Sequence, residues 1–254
     1  MNNVFEATYF LTAGECDARG QMPITLIADR LIEVASLHAN SLDFGYSRLA
    51  PLGQGWVLSK IGVQMLHLPG INQYYKVSTW VETWNRLYSE RCFRFEDLDG
   101  NILGWGRSVW AIIDVHTRRA VDMTDLIDAS ALEHSMTCPM PRMRPHIVTE
   151  PTRTLPVAFH YSDLDFNRHV NSVMYIRKII DAWTPAHYDK YRILRFEIAY
   201  KHECHPGETI EMRIEDTVDG SVGASIAMVR RIHGDVNADQ VVVTAQVEFL
   251  EEPI

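Results

Sequence analysis

Four side chains able to move a proton or orient a carbonyl crowd into seven positions of the stretch YSDLDFNRHVNSVMYIRKIIDAW, Tyr161 to Trp183: Asp163, Asp165, Asn167 and His169. Carboxylates and an imidazole this close together suit general acid–base work on water or on a polarised carbonyl. The motif runs without a break into an apolar pattern, Val173, Ile176, Ile180 and Trp183, whose spacing of three, four and three predicts a helix. Asn171 or Ser172 is placed to cap it. A helix amino terminus has unpaired N–H groups and partial positive charge, so the pattern sets acid–base groups beside a site suited to an oxyanion. Asp163 reads as a solvated loop residue rather than a catalyst.

Composition narrows the setting. A chain of 254 residues can bury a core without disulfide staples. With 33 acidic against 24 basic residues, a formal net charge of -9, it lacks the basic field that general binding to nucleic acid or anionic membrane requires. Cys16, Cys92, Cys138 and Cys204 are scattered, with no CxxC pair and no spacing suited to zinc, so neither metal nor cofactor is expected. The start, MNNVFEATYF, has no basic and apolar leader pattern, and no run approaches the roughly 18 apolar residues of a membrane span. A cytoplasmic protein is expected.

The elements that must position the motif follow one plan written twice. The front half has a helical stripe of Ile27, Leu31, Val34, His38 and Leu42, with Pro23 placed for the first turn. Strand-like runs follow: GWVLSKIGVQML, YYKVSTWVETW, SERCFRFEDL and GWGRSVWAIIDV, the last two joined across Asp99-Gly100. The back half repeats the order with LRFEIAYKHE, ETIEMRIEDTV, SVGASIAMVRRI and QVVVTAQVEFLEE, and Asp219-Gly220 stands at its hairpin. Trp56, Trp80, Trp84, Trp105 and Trp110 read as sheet core, with lining of a pocket the other role open to them. Between the halves the periodicity fades through Pro139, Pro141, Pro145, Pro151 and Pro156, which disfavour helix and central strand alike. The expected division is therefore a first half at 1–125, a linker at 126–155 and a second half at 156–254. Periodicity alone supports an α+β fold with antiparallel sheet. The repeat adds a tandem, or double, hot-dog, each half a long helix wrapped by sheet. Laid over itself at an offset of 148, the chain sets Asp165 on Asp17, Asn167 on Arg19 and His169 on Gln21. The front copy keeps the scaffold without the Asn or the His, which makes the back half the chemical one and leaves the front half to form a pocket.

DLDFNRHVNSVMYI resembles the signature of acyl-[acyl carrier protein] thioesterases, the double-hot-dog enzymes of plant plastids and their bacterial relatives. FEIAYKHEC resembles that family's strand ending in Glu-Cys, and Cys204 lies 35 positions after His169, about the separation the family has. The front stretches GECDARGQMPITLIADRLIEVASLHANSLDFG and GWVLSKIGVQM read like the family's first hot-dog. The resemblance implies hydrolysis of fatty acyl thioesters on acyl carrier protein (ACP), the carrier being the expected partner, and homodimerisation is open. It places the active-site groups on Asp165, Asn167, His169, Glu203 and Cys204.

Cleaving a thioester needs a nucleophile aimed at the carbonyl carbon and donors aimed at its oxygen. A thiol leaves readily, so activating water matters more than helping the leaving group. On that chemistry Glu203 is the general base and His169 polarises or shares the proton. Asn167 orients water or carbonyl, and Asp165 fixes His169 or the loop. Cys204 as nucleophile is the alternative, and it would need an exposed thiolate of low pKa. Other readings are an acyl-CoA thioesterase, a hot-dog module that binds acyl thioesters without cleaving them, and a hot-dog dehydratase. The intact Asp165, Asn167, His169 and Glu203 set counts against the module. Gln21, Ile32 and Glu33 do not supply the paired carboxylate that a dehydratase needs.

Overall fold

The computed structural model describes residues 3–124, 126, 133–144, 147–217, 222–231 and 239–252. The chain divides into two compact units, Met1–Arg142 and Met143–Ile254. The first contains β1 (Phe5–Phe10), α1 (Ile24–Ser41), α2 (Tyr46–Leu49), β2 (Gln54–Met65), β3 (Tyr74–Trp84), β4 (Ser89–Glu96) and β5 (Ile102–Asp114). Its strands form an antiparallel sheet in the order β1-β3-β4-β5-β2. The second contains β6 (Arg153–Val157), α3 (Ser172–Ile180), α4 (Pro185–Tyr188), β7 (Tyr191–Tyr200), β8 (Ile210–Asp216), β9 (Val222–Arg230) and β10 (Gln240–Glu251). Its order, β6-β8-β9-β10-β7, is that of the first unit strand for strand. Each unit is thus a helix set on a five-stranded antiparallel sheet, the hot-dog arrangement.

Helix α1 forms because Ile24, Ile27, Ala28, Leu31, Val34, Ala35, His38 and Ala39 make a broad buried stripe, with Pro23 as the amino-terminal cap. A β-carbon added at Gly106 on β5 would lie 2.8 Å from Leu31 Cδ1, so this glycine sets how closely helix and sheet approach. Phe44, Trp56 and Trp84 meet edge to face near the end of α1, with centroids 5.3 to 6.1 Å apart. Trp80 is fully buried, whereas Trp105 and Trp110 are half-buried. The Asp99-Gly100 turn is a five-residue loop: Asp97 accepts from the N–H groups of Asp99 and Asn101, and Gly100 has φ +85°.

Four sequence expectations change. Strand β1 lies in the amino-terminal stretch read only for a leader, and it pairs along β3 from Phe5 to Phe10. Strand β6 begins inside the expected linker and includes Pro156, which an edge strand tolerates because one of its sides needs no N–H donors. The back helix ends at Ile180, and its buried face is Val173, Tyr175, Ile176 and Ile179. Ile180 and Trp183 are half-buried; Trp183 lies beyond the helix, 5.1 Å from the Phe249 ring. Asp163 is buried, for reasons given below. The Asp219-Gly220 hairpin lies outside the described residues.

Gly106→Ala should destabilise the protein by about 1–3 kcal/mol, the usual cost of overpacking a tight core. Urea unfolding reads this as a lower midpoint at unchanged slope.

Candidate active site

The motif is a chain of local hydrogen bonds ending in a helix cap. Asp163 Oδ2 accepts from the His160 N–H at 2.8 Å, and the Asp163 N–H donates to the His160 carbonyl at 3.0 Å, a reciprocal capping turn. Asp163 also faces Lys178 Nζ of α3 at 3.8 Å. Its carboxylate therefore braces the motif against the helix rather than facing solvent.

Asp165 then builds the loop. Its Oδ1 accepts from the N–H groups of Asn167 at 2.8 Å and His169 at 3.1 Å. Its own N–H donates to the His169 carbonyl at 2.8 Å, and the Arg168 N–H donates to the Asp165 carbonyl at 3.0 Å. Closing so tight a turn puts Arg168 in the left-handed region, φ +65°. Asn171 N–H donates to the Asp163 carbonyl, and Asn171 Oδ1 caps α3 by accepting from the Val173 N–H at 2.9 Å.

The first unit contains the same construction. Thr12 and Glu15 form the capping turn, and Glu15 pairs with Arg30 at 2.9 Å as Asp163 does with Lys178. Asp17 Oδ1 accepts from Arg19 N–H at 2.9 Å and Gln21 N–H at 3.0 Å, the Asp17 N–H donates to Gln21 O at 2.8 Å, and Gly20 has φ +71°. Every one of these positions is 148 before its counterpart. Asp165 thus does a job that its copy also does where no His or Asn is present: it shapes the loop.

Glu203 reaches the motif from the segment that follows β7. The Val170 N–H donates to the Cys204 carbonyl at 3.2 Å, which ties the residue after His169 to the residue after Glu203. His169 Nδ1 and Glu203 Oε1 stand 3.5 Å apart, with the two side chains 28% and 38% exposed. The His205 ring meets His169 edge-on at 5.3 Å. Asn167 is exposed, its Nδ2 3.5 Å from Asp165 Oδ2. Cys204 lies apart from this solvent-facing group. It is fully buried, its N–H donates to the Tyr175 hydroxyl at 3.0 Å, and burial pushes its thiol pKa up against the opposing pull of Tyr175 and Arg230.

Two positioning residues escaped the sequence. Arg230 on β9 donates to the Glu203 carbonyl and to Glu208 Oε2, and Tyr200 Oη donates to the Ser172 carbonyl at 2.9 Å. Both act through backbone groups far away in sequence, which no spacing rule picks out. The expected anion site at the start of α3 is smaller than an open helix end would be. Asn171 already takes the Val173 and Met174 N–H groups, which leaves the Ser172 N–H as the first-turn donor without a protein acceptor among the described residues.

The two matching units define a double hot-dog protein with a His–carboxylate pair on a carboxylate-shaped loop. Residues 2–130 match the acyl-ACP thioesterase N-terminal domain and residues 149–250 the C-terminal domain of that family. The chain belongs to the acyl-ACP thioesterases. It is 22% identical over 91% of its length to oleoyl-acyl carrier protein thioesterase 1, chloroplastic, of Arabidopsis thaliana, and 23% identical over 90% to palmitoyl-acyl carrier protein thioesterase, chloroplastic, of Cuphea hookeriana. It spans 69% and 59% of those two proteins. A crystal structure of an acyl-ACP thioesterase from Bacteroides thetaiotaomicron superposes with a TM-score of 0.86 at 28% identity, covering 98% of both chains. The 12:0-ACP thioesterase from Umbellularia californica shares the fold, with a TM-score of 0.80 at 17% identity over 99% of both chains.

If the two aspartate loops are equivalent, Asp17→Ala and Asp165→Ala should lower stability by similar amounts, about 1 kcal/mol each for the lost hydrogen bonds. Urea titration of the two variants checks this, and a loss at only one position would separate them.

Proposed function

We propose that the chain hydrolyses fatty acyl-ACP to free fatty acid and ACP, with water as the nucleophile and Glu203 and His169 as the groups that activate it. The observation that carries this is the 3.5 Å approach of His169 to Glu203 at a partly exposed site, in a chain matched along both halves by the acyl-ACP thioesterase family. Glu203 takes a proton from water as the oxygen attacks the thioester carbon, and His169 polarises that water or shares the proton. The tetrahedral intermediate then collapses, the C–S bond breaks, and the proton returns to the departing sulfur. Asn167 Nδ2 and the Ser172 N–H are donors available to the carbonyl oxygen. Asp165 holds the loop that presents His169 and Asn167.

Cys204 serves this reaction as a packed side chain. A nucleophilic cysteine needs a reachable thiolate, whereas this thiol is sealed and its pKa is raised. The catalytic role falls to the back half, residues 156–254, because the equivalent front loop has Arg19 and Gln21 where Asn167 and His169 stand. The front half, residues 1–125, supplies pocket and scaffold, and the residues between them serve as connection. Four free thiols fit a cytoplasmic setting.

The carrier surface narrows as well. An acidic carrier needs local positive charge on a chain of net charge -9. Lys178 is tied to Asp163, as Arg30 is to Glu15, which removes it from the docking candidates. Exposed Arg168 and Arg177 remain.

Thiol release from a panel of acyl-ACPs and acyl-CoAs, with a heat-killed control, tests the reading. Turnover on acyl-ACP is expected, no turnover on any substrate overturns it, and preference for acyl-CoA reassigns the carrier. His169→Ala and Glu203→Gln should each lower kcat about 10²-fold or more, as positioned acid–base groups usually do. Cys204→Ala should keep most activity, and near-total loss there with Glu203→Gln active would favour covalent catalysis. Arg177→Glu should raise KM for acyl-ACP in a salt-dependent way while leaving a short carrier-free thioester unaffected.

A further inference from the structure

Inside the first unit lies a cation that no carboxylate among the described residues neutralises. Arg91 on β4 is only 4% exposed. Its Nη1 donates to His38 Nδ1 of α1 at 2.9 Å, and the guanidinium carbon stands 5.9 Å from the Phe44 ring centroid. Among the described residues no carboxylate pairs with it. A guanidinium only donates, so His38 Nδ1 must be the acceptor and the imidazole is neutral. Burial and the adjacent Arg91 charge push the His38 pKa down to about 3, so His38 does not supply compensating charge. Burial lowers the Arg91 pKa to about 9, which still leaves the guanidinium charged at neutral pH.

The surroundings are polar in the same sense. Ser89 and Arg91, two apart on β4, share the face turned to α1, and Ser89 Oγ is buried without a hydrogen-bond partner among the described residues. Ser108, opposite Arg91 in the ladder, accepts from Trp110 Nε1 at 2.6 Å, and Trp110 stands opposite Ser89. Removing an ion from water costs several kcal/mol unless a counter-charge and hydrogen bonds compensate. Among the described residues one neutral imidazole is the acceptor for the Arg91 guanidinium. The protein's other deeply set arginines differ: Arg107 is clasped by Glu82 and two carbonyls, and Arg192 by Glu252.

We propose that Arg91, with Ser89 beside it, is an internal binding site for a small monoanion, either a halide or a carboxylate. The guanidinium supplies charge and a two-pronged donor edge, and the serine hydroxyl supplies a further donor. A carboxylate has two potential sources, a short free acid or the head group of a fatty acid. The site takes charge and acceptor atoms, so it discriminates against neutral ligands such as an alcohol or amide of the same length. It does not depend on the hydrolytic reading and is tested without turnover.

The experiment titrates bromide, acetate and decanoate into the full chain at constant ionic strength, with decanol as the neutral control, and follows Tm. An anion that occupies the site should raise Tm by roughly 2–4 °C at about four times its Kd. Arg91→Met, of similar length and without charge, should abolish the response. A response to bromide and acetate identifies a small-anion site, and one to decanoate alone identifies the fatty-acid head group; either supports the proposal. Equal shifts in wild type and Arg91→Met, equal shifts with decanol, or no shift with any anion would overturn it. Should Arg91→Met not fold, crystals of the wild type soaked in bromide and in decanoate decide. Anomalous scattering or carboxylate density within about 3.5 Å of the Arg91 guanidinium supports the site, and its absence in both soaks refutes it.

Discussion

The functional geometry depends on a single carboxylate closing a five-residue loop. Asp165 gathers two backbone N–H groups onto one oxygen and forces the chain through a left-handed residue, so the loop cannot relax into helix or strand. The next residue, Val170, then locks to Cys204, and this one bond determines that the side chains before the two clamped positions, His169 and Glu203, face each other. Both are carried into position by backbone bonds: the His169 N–H and carbonyl are held by Asp165, and the Glu203 carbonyl by Arg230.

The copy in the first unit separates architecture from chemistry. Asp17 makes the Asp165 bonds, Glu15 the Asp163 turn, and Arg30 the Lys178 brace, yet Arg19 and Gln21 stand where Asn167 and His169 do. A feature present in both copies does not depend on the Asn and the His that only one of them has. The aspartate loop and the cap–cation brace are therefore fold elements, and Asn167, His169 and Glu203 are what the second unit adds. Where the residue at the left-handed position is Gly20 the turn is relaxed, and where it is Arg168 the backbone is more strained.

Much of this was legible before any coordinates. The motif's spacing and its run into a helix located the loop, its cap and its histidine, because local hydrogen bonds are encoded by local sequence. Eight strands were visible as apolar runs. The two that were missed, β1 and β6, are edge strands, short and mixed in polarity, and one contains a proline, so neither carries the signal of a buried strand. The burial of Asp163 and the tying of Lys178 were hidden for another reason. A charged residue on a polar helix face looks solvated until the partner that folds back onto it is known. The offset of 148 already aligned Glu15 with Asp163 and Arg30 with Lys178, but only coordinates show that the residues in each column touch.

The interior of the first unit follows a different logic from its loop. Helix α1 runs through Ser41 whereas α3 stops at Ile180, so the first unit extends its helix for more than two further turns, and His38 lies on that extension. An extension made only to bury apolar surface would continue the stripe of Ile27, Leu31 and Val34 with another aliphatic residue. Instead it presents a neutral imidazole to a buried guanidinium, flanked by Phe44 and by a serine with no hydrogen-bond partner among the described residues. A hydrophobic residue of similar volume at position 91 would remove the desolvation penalty. The penalty is unbalanced within the described fold and is offset when an anion sits against the guanidinium. By that argument Arg91 belongs with the residues that recognise something, although it lies in what would otherwise be the hydrophobic core of the first unit.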